Sequence, residues 1–172
     1  MHVLFVCTGN ICRSPTAERL FVAHSGLHET PVLYASSAGT RAVIDHPIHP
    51  QAAHVLEHLG GDPSNFTARQ LTAKIASTAD LILTMTRAHR EATLELAPHR
   101  LRRTFTLREA SRLISEHGAR TVAELAARRS LVASDELLDI PDPIGQSPEV
   151  FAEIGSQIAH LLPPIFEVCQ PG

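Results

Sequence analysis

What most constrains the fold is a change of period at the very start of the chain. His2 to Val6 is a short apolar run with β-branched and aromatic residues, followed at once by the turn Cys7-Thr8-Gly9-Asn10. From Ser14 to about His24 the pattern is helical, with Ala17, Leu20, Phe21 and Ala23 as an apolar stripe and Pro15 suited to the first turn. Strand, turn and helix is the unit this predicts.

The alternation continues. Val32 to Ala38 reads as a second strand closed by Gly39, and Pro50 to Leu59 as a helix ended by Gly60-Gly61. Leu81 to Met85 reads as a third strand, preceded by a polar helical stretch containing Ala68 to Ala76, and Arg103 to Leu107 as a shorter fourth. Glu109 to Leu131 is helical in composition with a break at Gly118, and Pro148 to Leu162 is a last amphipathic helix ended by Pro163-Pro164, after which the tail is expected to be loosely held. Strands separated by helices imply a parallel sheet covered on both faces, hence an α/β fold: a three-layer sandwich on a four-stranded parallel sheet. In such folds the site lies beyond the carboxyl ends of the strands, where strand order reverses.

The chain has 172 residues, 44% of them hydrophobic, which suffices for one sizeable core and predicts a single domain. A net charge of −3 argues against nucleic acid held by overall charge. No apolar run is long enough for a bilayer span, and MHVLFVCTGN lacks the basic start of a signal peptide. A soluble cytoplasmic protein is the expectation. Cys7, Cys12 and Cys169 are an odd number, unlike a disulfide framework, so any thiol chemistry is expected to be catalytic or redox-sensing.

The first turn carries the strongest chemical signal. In Cys7-Thr8-Gly9-Asn10-Ile11-Cys12-Arg13-Ser14, a cysteine and an arginine six apart are placed between strand and helix. A loop of that length can curl until successive backbone N–H groups converge on a phosphate-like anion at the positive end of the following helix. Gly9 and Asn10 are the residues best able to take the left-handed backbone the curl needs. Arg13 can bind two anion oxygens at once with its planar fork. The same field favours the thiolate of Cys7, the attacking form, and Ser14 can donate a hydrogen bond to that sulfur. A bare Cys-x5-Arg also arises by chance, and a cysteine at a strand end is commonly a small packed residue. The strand before, Gly-Asn within and Ser-Pro with a helix after supply the context that sets it apart.

VLFVCTGNICRSPTAERLF resembles the signature of the low-molecular-weight protein tyrosine phosphatases, and Ser37-Ala38-Gly39-Thr40 and Asp142-Pro143-Ile144-Gly145-Gln146-Ser147-Pro148 are similar to two further blocks of that family in the same order. The resemblance implies Cys7 as nucleophile, Arg13 as transition-state clamp, Ser14 as thiolate partner and Asn10 with Ser37 as a brace for the loop. It implies Asp142 as general acid, residues Thr8 to Ser14 as the phosphate cradle and no cofactor or metal. Phosphorylated proteins would be the substrates, a cognate tyrosine kinase a partner, and the protein a monomer or weak dimer.

An acid is also required by the chemistry, since a phosphate monoester must have its leaving oxygen protonated. Asp139 and Asp142 both precede the last helix, but only Asp142 is followed by a stiffening proline and by a glycine that lets the loop approach. An Asp-Pro pair that simply shapes a turn is the plain alternative. The family's aromatic after Asp-Pro is Ile144 here, its cleft side after Thr40 is Arg41-Ala42-Val43-Ile44-Asp45-His46, the histidine before Ala68-Arg69-Gln70 is Phe66, and an acidic residue after the third strand is Thr86. The catalytic residues match and the cleft walls do not.

Protein arginine phosphatases resemble this loop but carry threonine where Ile11 stands, so Ile11 favours an ester substrate. Arsenate reductases of this fold use two additional distal cysteines, which Cys169 alone does not supply. A cysteine phosphoryl carrier and a phosphopeptide-binding module remain as other classes, the first needing neither Arg13 nor Asp142 and the second not needing Cys7. Cys12 is either a reversible disulfide partner for Cys7 or a packed small residue. His46, His49, His54 and His58 form a cluster, the last two four apart on one predicted helix face with spacing that could hold a metal, but no acidic or cysteine ligand pattern accompanies them and they read as solvated or cleft-rim side chains. Arg102-Arg103 and Arg128-Arg129 read as solvated faces, and Phe105, Leu107, Leu113 and Ile114 as core.

Overall fold

The computed structural model describes residues 1–25, 33–132 and 137–169. Four strands, β1 (His2–Cys7), β2 (Tyr34–Gly39), β3 (Leu81–Thr84) and β4 (Thr104–Thr106), form one parallel sheet in the order β2-β1-β3-β4. The chain leaves β1 toward one edge and returns to pair β3 on its other side, so strand order reverses at β1. Val32, expected to open β2, lies outside the described residues.

Alternation along β1 divides the core. Val3 and Phe5 face a large cluster with Leu81, Leu83 and Phe105, covered by α1 (Arg13–Ser25), α2 (Pro50–His58), α5 (Leu107–Ser115), α6 (Val122–Arg128) and α7 (Pro148–Cys169). Leu4 and Val6 face a smaller cluster with Ile82, Ala76 and Ala97, beneath α3 (Ala73–Thr78) and α4 (Arg87–Leu96). Phe105, Leu107, Leu113 and Ile114 are core, as their pattern predicts. No helix among the described residues is long and apolar enough to cross a membrane.

Several elements depart from the sequence expectation. Residues Ala68 to Leu71 are extended: Gly39 N–H donates to Arg69 O and Leu71 N–H to Gly39 O, and the helix starts only at Ala73, where Thr72 Oγ1 accepts from Ile75 N–H. Helix α4 carries no apolar stripe to betray it, because the residues it buries are His89 and Thr93. The stretch from Glu109 to Leu131 is two helices and a short 3₁₀ turn, broken at Gly118 with φ 66°.

The last helix does not stop at Pro163-Pro164 but runs to Cys169. An interior proline costs about 3 kcal/mol. Ile165, Phe166 and Val168 beyond it are buried, each stabilising by roughly 1.5–3 kcal/mol, which offsets two prolines. Phe166 stacks on Phe21 at 4.3 Å and on His24 at 4.0 Å. Arg129 is likewise no solvated residue: its guanidinium lies over Phe105 at 4.2 Å, donates to Thr104 O and approaches buried Glu109 at 3.3 Å.

Candidate active site

The phosphate-sized loop leaves β1 at Cys7 and enters α1 at Arg13, at the point where strand order reverses. Pairing between β1 and β2 does not stop with the sheet. Thr40 N–H donates to Cys7 O at 2.9 Å, Arg41 N–H to Thr8 O at 3.0 Å and Val43 N–H to Gly9 O at 2.9 Å, so the segment after β2 is stitched along the loop. Gly39 permits this approach, since a Cβ there would stand 2.4 Å from Thr8 O.

Asn10 alone in the loop takes the left-handed backbone, with φ 55°, while Gly9 does not. Sequence reasoning named both. The curl needs one such position, and Asn10 suits it because its side chain repays the strain. Its Nδ2 donates to Ser14 Oγ at 2.9 Å and to Ser37 Oγ at 2.8 Å, and its Oδ1 accepts from Arg69 N–H at 2.9 Å. Ser37 in turn donates to Glu18 Oε2 at 2.5 Å, and Arg69 Nε to Ser37 O at 2.8 Å. Burial pushes the Glu18 carboxyl above its ordinary value, opposed by the Ser37 hydroxyl. Glu18 and Arg69 are members of the brace that sequence reasoning missed. Glu18 stood inside the recognised signature and Arg69 in Ala68-Arg69-Gln70, but nothing in their spacing says that one helix face and one extended segment meet at Ser37.

Cys7 Sγ and Ser14 Oγ are 3.0 Å apart and both are buried. Ser14 already accepts a hydrogen from Asn10, so its own proton is available to the sulfur. Cys7, Cys12 and Cys169 are free thiols. Burial first, and the neighbouring Cys7 next, push the Cys12 thiol up to about 12, which disfavours its reactive thiolate.

Arg13 is 4% exposed. Its Nη1 donates to Ile140 O at 2.9 Å and its Nη2 lies 3.1 Å from Asp142 Oδ2, while Nε has no partner. Asp142 Oδ1 accepts from Ile144 N–H at 3.2 Å and its carbonyl accepts from Gln146 at 2.8 Å, fixing a turn whose Gly145 has φ 79°. That glycine supplies backbone freedom and no close approach, since a Cβ there would meet nothing within 4 Å. Asp139 faces elsewhere: its Oδ1 accepts Arg87 N–H at 2.8 Å, at the start of α4.

Thr8 Oγ1 is 2.8 Å from His89 Nε2, a residue that sequence reasoning did not single out. Desolvation, with Arg13 as the next cause, pushes His89 down to about 4, so the ring is neutral at pH 7. A cavity of about 210 Å³ opens over the loop, lined by Cys7, Arg13, Asp142, Arg41, Val43 and Ile144 among others. A larger cavity of about 790 Å³ between α5 and α7 has no cysteine among its lining residues. Of the histidine group, His49 stacks on Phe151 at 5.0 Å and His54 meets His58 edge-on at 4.4 Å. Among the described residues no three histidines, cysteines or carboxylates converge as metal ligands.

The chain's relatives fit this geometry. Residues 2–169 match the family described as low molecular weight phosphotyrosine protein phosphatase. A putative low molecular weight protein-tyrosine-phosphatase of Klebsiella pneumoniae is 32% identical over 152 residues, spanning 88% of this chain and 85% of the relative. The low molecular weight protein tyrosine phosphatase of T. tengcongensis superposes with a TM-score of 0.77 at 30% identity, covering 97% of this chain and 98% of that one. The YwlE arginine phosphatase of Geobacillus stearothermophilus superposes with a TM-score of 0.74 at 27% identity, covering 95% and 89%. Sequence match and superposition extend over nearly all the residues that build the sheet and its loop, and the chain belongs to the low molecular weight phosphotyrosine protein phosphatase family, whose members are phosphatases.

Proposed function

We propose that the protein hydrolyses phosphotyrosine on proteins in two steps through a phosphocysteine on Cys7. The backbone N–H groups of Thr8 to Ser14 cradle the phosphoryl oxygens at the positive end of α1. Cys7 attacks phosphorus, Arg13 clamps two equatorial oxygens, and Asp142 gives its proton to the leaving phenolate oxygen. In the second step Asp142 takes a proton from water as that water attacks the phosphocysteine, and Ser14 stabilises the departing sulfur. Asn10 and Ser37 brace the loop. No metal or cofactor is required, because the cradle and Arg13 carry the positive charge.

One observation carries this reading: a buried thiol 3.0 Å from a serine hydroxyl shares a cavity with an arginine already paired to a carboxylate. Cys7→Ser should abolish phosphate release from p-nitrophenyl phosphate while retaining vanadate binding. Residual turnover above a few per cent would remove Cys7 from the nucleophile's role. A phosphoryl carrier would tolerate Asp142→Asn, and a phosphopeptide-binding module would tolerate Cys7→Ser. The cytoplasm is the compartment this activity suits, with phosphorylated proteins and the tyrosine kinase that makes them as partners.

The likeness to an arginine phosphatase supports a second reading, hydrolysis of phosphoarginine. Ile11 weighs against it, presenting methyl groups and no hydroxyl at the loop's rim. Phosphotyrosine peptides should be hydrolysed far faster than phosphoarginine peptides, and Ile11→Thr should shift the ratio toward arginine. Equal rates on the wild type would favour the second reading.

A further inference from the structure

The segment that follows β2 holds a cation, Arg41, at the mouth of the cleft, and no ion pair neutralises it among the described residues. Thr40, Arg41 and Val43 each donate a backbone hydrogen bond to the loop, to Cys7, Thr8 and Gly9 in turn. Gln70 clamps the segment from its other side: its Oε1 accepts Ala42 N–H at 2.9 Å and its Nε2 donates to Thr40 O at 2.9 Å. Five hydrogen bonds therefore fix the backbone of the turn that carries Arg41 and Val43. Both line the cavity over Cys7, as does Ile144.

The walls around Arg41 are aliphatic. Val43 is 38% exposed and Ile144 is 43% exposed, and Ile11 completes the rim. Asp142, the carboxylate that shares this cavity, is engaged by Arg13, and the guanidinium of Arg41 makes no ion pair or side-chain hydrogen bond among the described residues. Arg13, in contrast, is buried at the floor and spoken for by the phosphate. A second, exposed guanidinium on a rigid strap above a phosphate site has one chemical preference, a carboxylate or another anion within reach of the phosphoryl group.

We propose that Arg41 is a specificity-determining residue that selects substrates carrying an aspartate or glutamate next to the phosphorylated residue. The bound side chain passes between Val43 and Ile144 to reach Cys7, which leaves the flanking residues of the peptide at the height of Arg41. The pair is exposed to solvent, so it contributes modestly and through encounter as much as through affinity. It favours acidic over neutral flanks by about 2- to 5-fold in kcat/KM at low ionic strength, and salt diminishes it.

This rests on the proposed activity at Cys7, and the test separates the two. Phosphotyrosine peptides with glutamate, alanine or lysine beside the phosphorylated residue are assayed with wild type, Arg41→Ala and Arg41→Glu, in 20 mM and 500 mM salt. The quantity read is the acidic-to-neutral ratio of kcat/KM, from which any general effect of a substitution on folding or phosphate binding cancels. The ratio should exceed unity in wild type, fall to about one in Arg41→Ala and drop below one in Arg41→Glu, and 500 mM salt should compress all three toward one. A wild-type ratio of one, or a ratio that both substitutions leave unchanged, overturns the proposal. Should the alanine-flanked phosphotyrosine peptide not be turned over while its phosphoarginine counterpart is, the activity reading fails, and the same flank series on phosphoarginine peptides decides on Arg41.

Discussion

Arg13 Nη2 lies 3.1 Å from Asp142 Oδ2, while Nη1 of the same guanidinium donates to Ile140 O at 2.9 Å. Residues more than a hundred positions apart in the chain are thus joined at one planar group, which locks the loop after β1 to the loop before α7. In the proposed mechanism an entering phosphoryl group would compete with Asp142 for that fork, so that substrate binding and placement of the acid would be coupled through one side chain.

Arg13→Lys should therefore cost more than a conserved charge suggests. A lysine binds one oxygen as a point charge and reaches Ile140 and the phosphate only in turn. Loss of a bidentate, preorganised clamp should lower kcat on p-nitrophenyl phosphate by about 100- to 1,000-fold. A variant within ten-fold of wild type would show that charge alone suffices.

Asn10 should matter to stability as much as to turnover. Asn10→Ala removes the hydrogen-bond donor to Ser14 Oγ and Ser37 Oγ, takes the acceptor from Arg69 N–H and holds an alanine at φ 55° without the side-chain bonds that offset it. Unpartnered buried groups cost about 1–3 kcal/mol each at the outset, partly recovered by relaxation, so a loss of roughly 2–4 kcal/mol in urea unfolding is expected. Asn10→Gly lacks the same hydrogen bonds but relieves the backbone strain, so it should lose less stability than Asn10→Ala. If Asn10→Ala is as stable as wild type, the side-chain bonds contribute nothing.

His89 predicts the acid limb of stability. Its folded value of about 4 lies below the ordinary 6.5, so between those values the unfolded chain binds a proton that the folded one refuses. Stability from this group is complete above about pH 6.5 and is lost as pH falls toward 4, by at most about 3 kcal/mol. Arg13 opposes protonation, and Asp139 and Asp142 favour it. His89→Gln keeps a donor and acceptor for Thr8 but does not titrate. Thermal melts from pH 7 to 4.5 should show a smaller loss for the variant, and parallel curves would assign the acid limb to other groups.

How much of this was legible in the sequence depends on what each residue signals locally. The change of period from His2–Val6 to Ser14–His24 is a local fact, and it was enough to place the loop and Cys7, Arg13 and Ser14 in it. Ser37 followed only through the family resemblance. Glu18, Arg69 and His89 were invisible because their roles arise where distant elements meet: Glu18 reaches Ser37 from a helix face, and His89 is buried by the loop rather than by an apolar stripe of its own. Helix α7 was read as too short because proline punctuation is local, whereas the burial of Phe166 against Phe21 that overrides it is not. The extended run before α3 was misread for a related reason, since Arg69 and Leu71 find their backbone partners in Gly39, thirty residues earlier.

The last prediction separates the two aspartates. Asp142 faces Arg13 across the cavity, with one oxygen tied to Ile144 N–H and the other to the guanidinium, while Asp139 holds the first N–H of α4. If Asp142 protonates the leaving oxygen, Asp142→Asn should slow hydrolysis of phenyl phosphate, whose leaving group is poor, by about 100- to 10,000-fold, the usual contribution of general acid catalysis. With p-nitrophenyl phosphate the leaving group is already stable as an anion, so the first step should suffer less and the two substrates should diverge. Asparagine preserves the turn through its own oxygen, which keeps the comparison one of proton donation and not of loop shape. Asp139→Asn should affect both substrates alike and weakly, because the amide oxygen can still accept from Arg87 N–H. A leaving-group-dependent loss in the Asp139 variant and none in the Asp142 variant would reverse the assignment and leave Asp142-Pro143 as a turn that merely occupies Arg13.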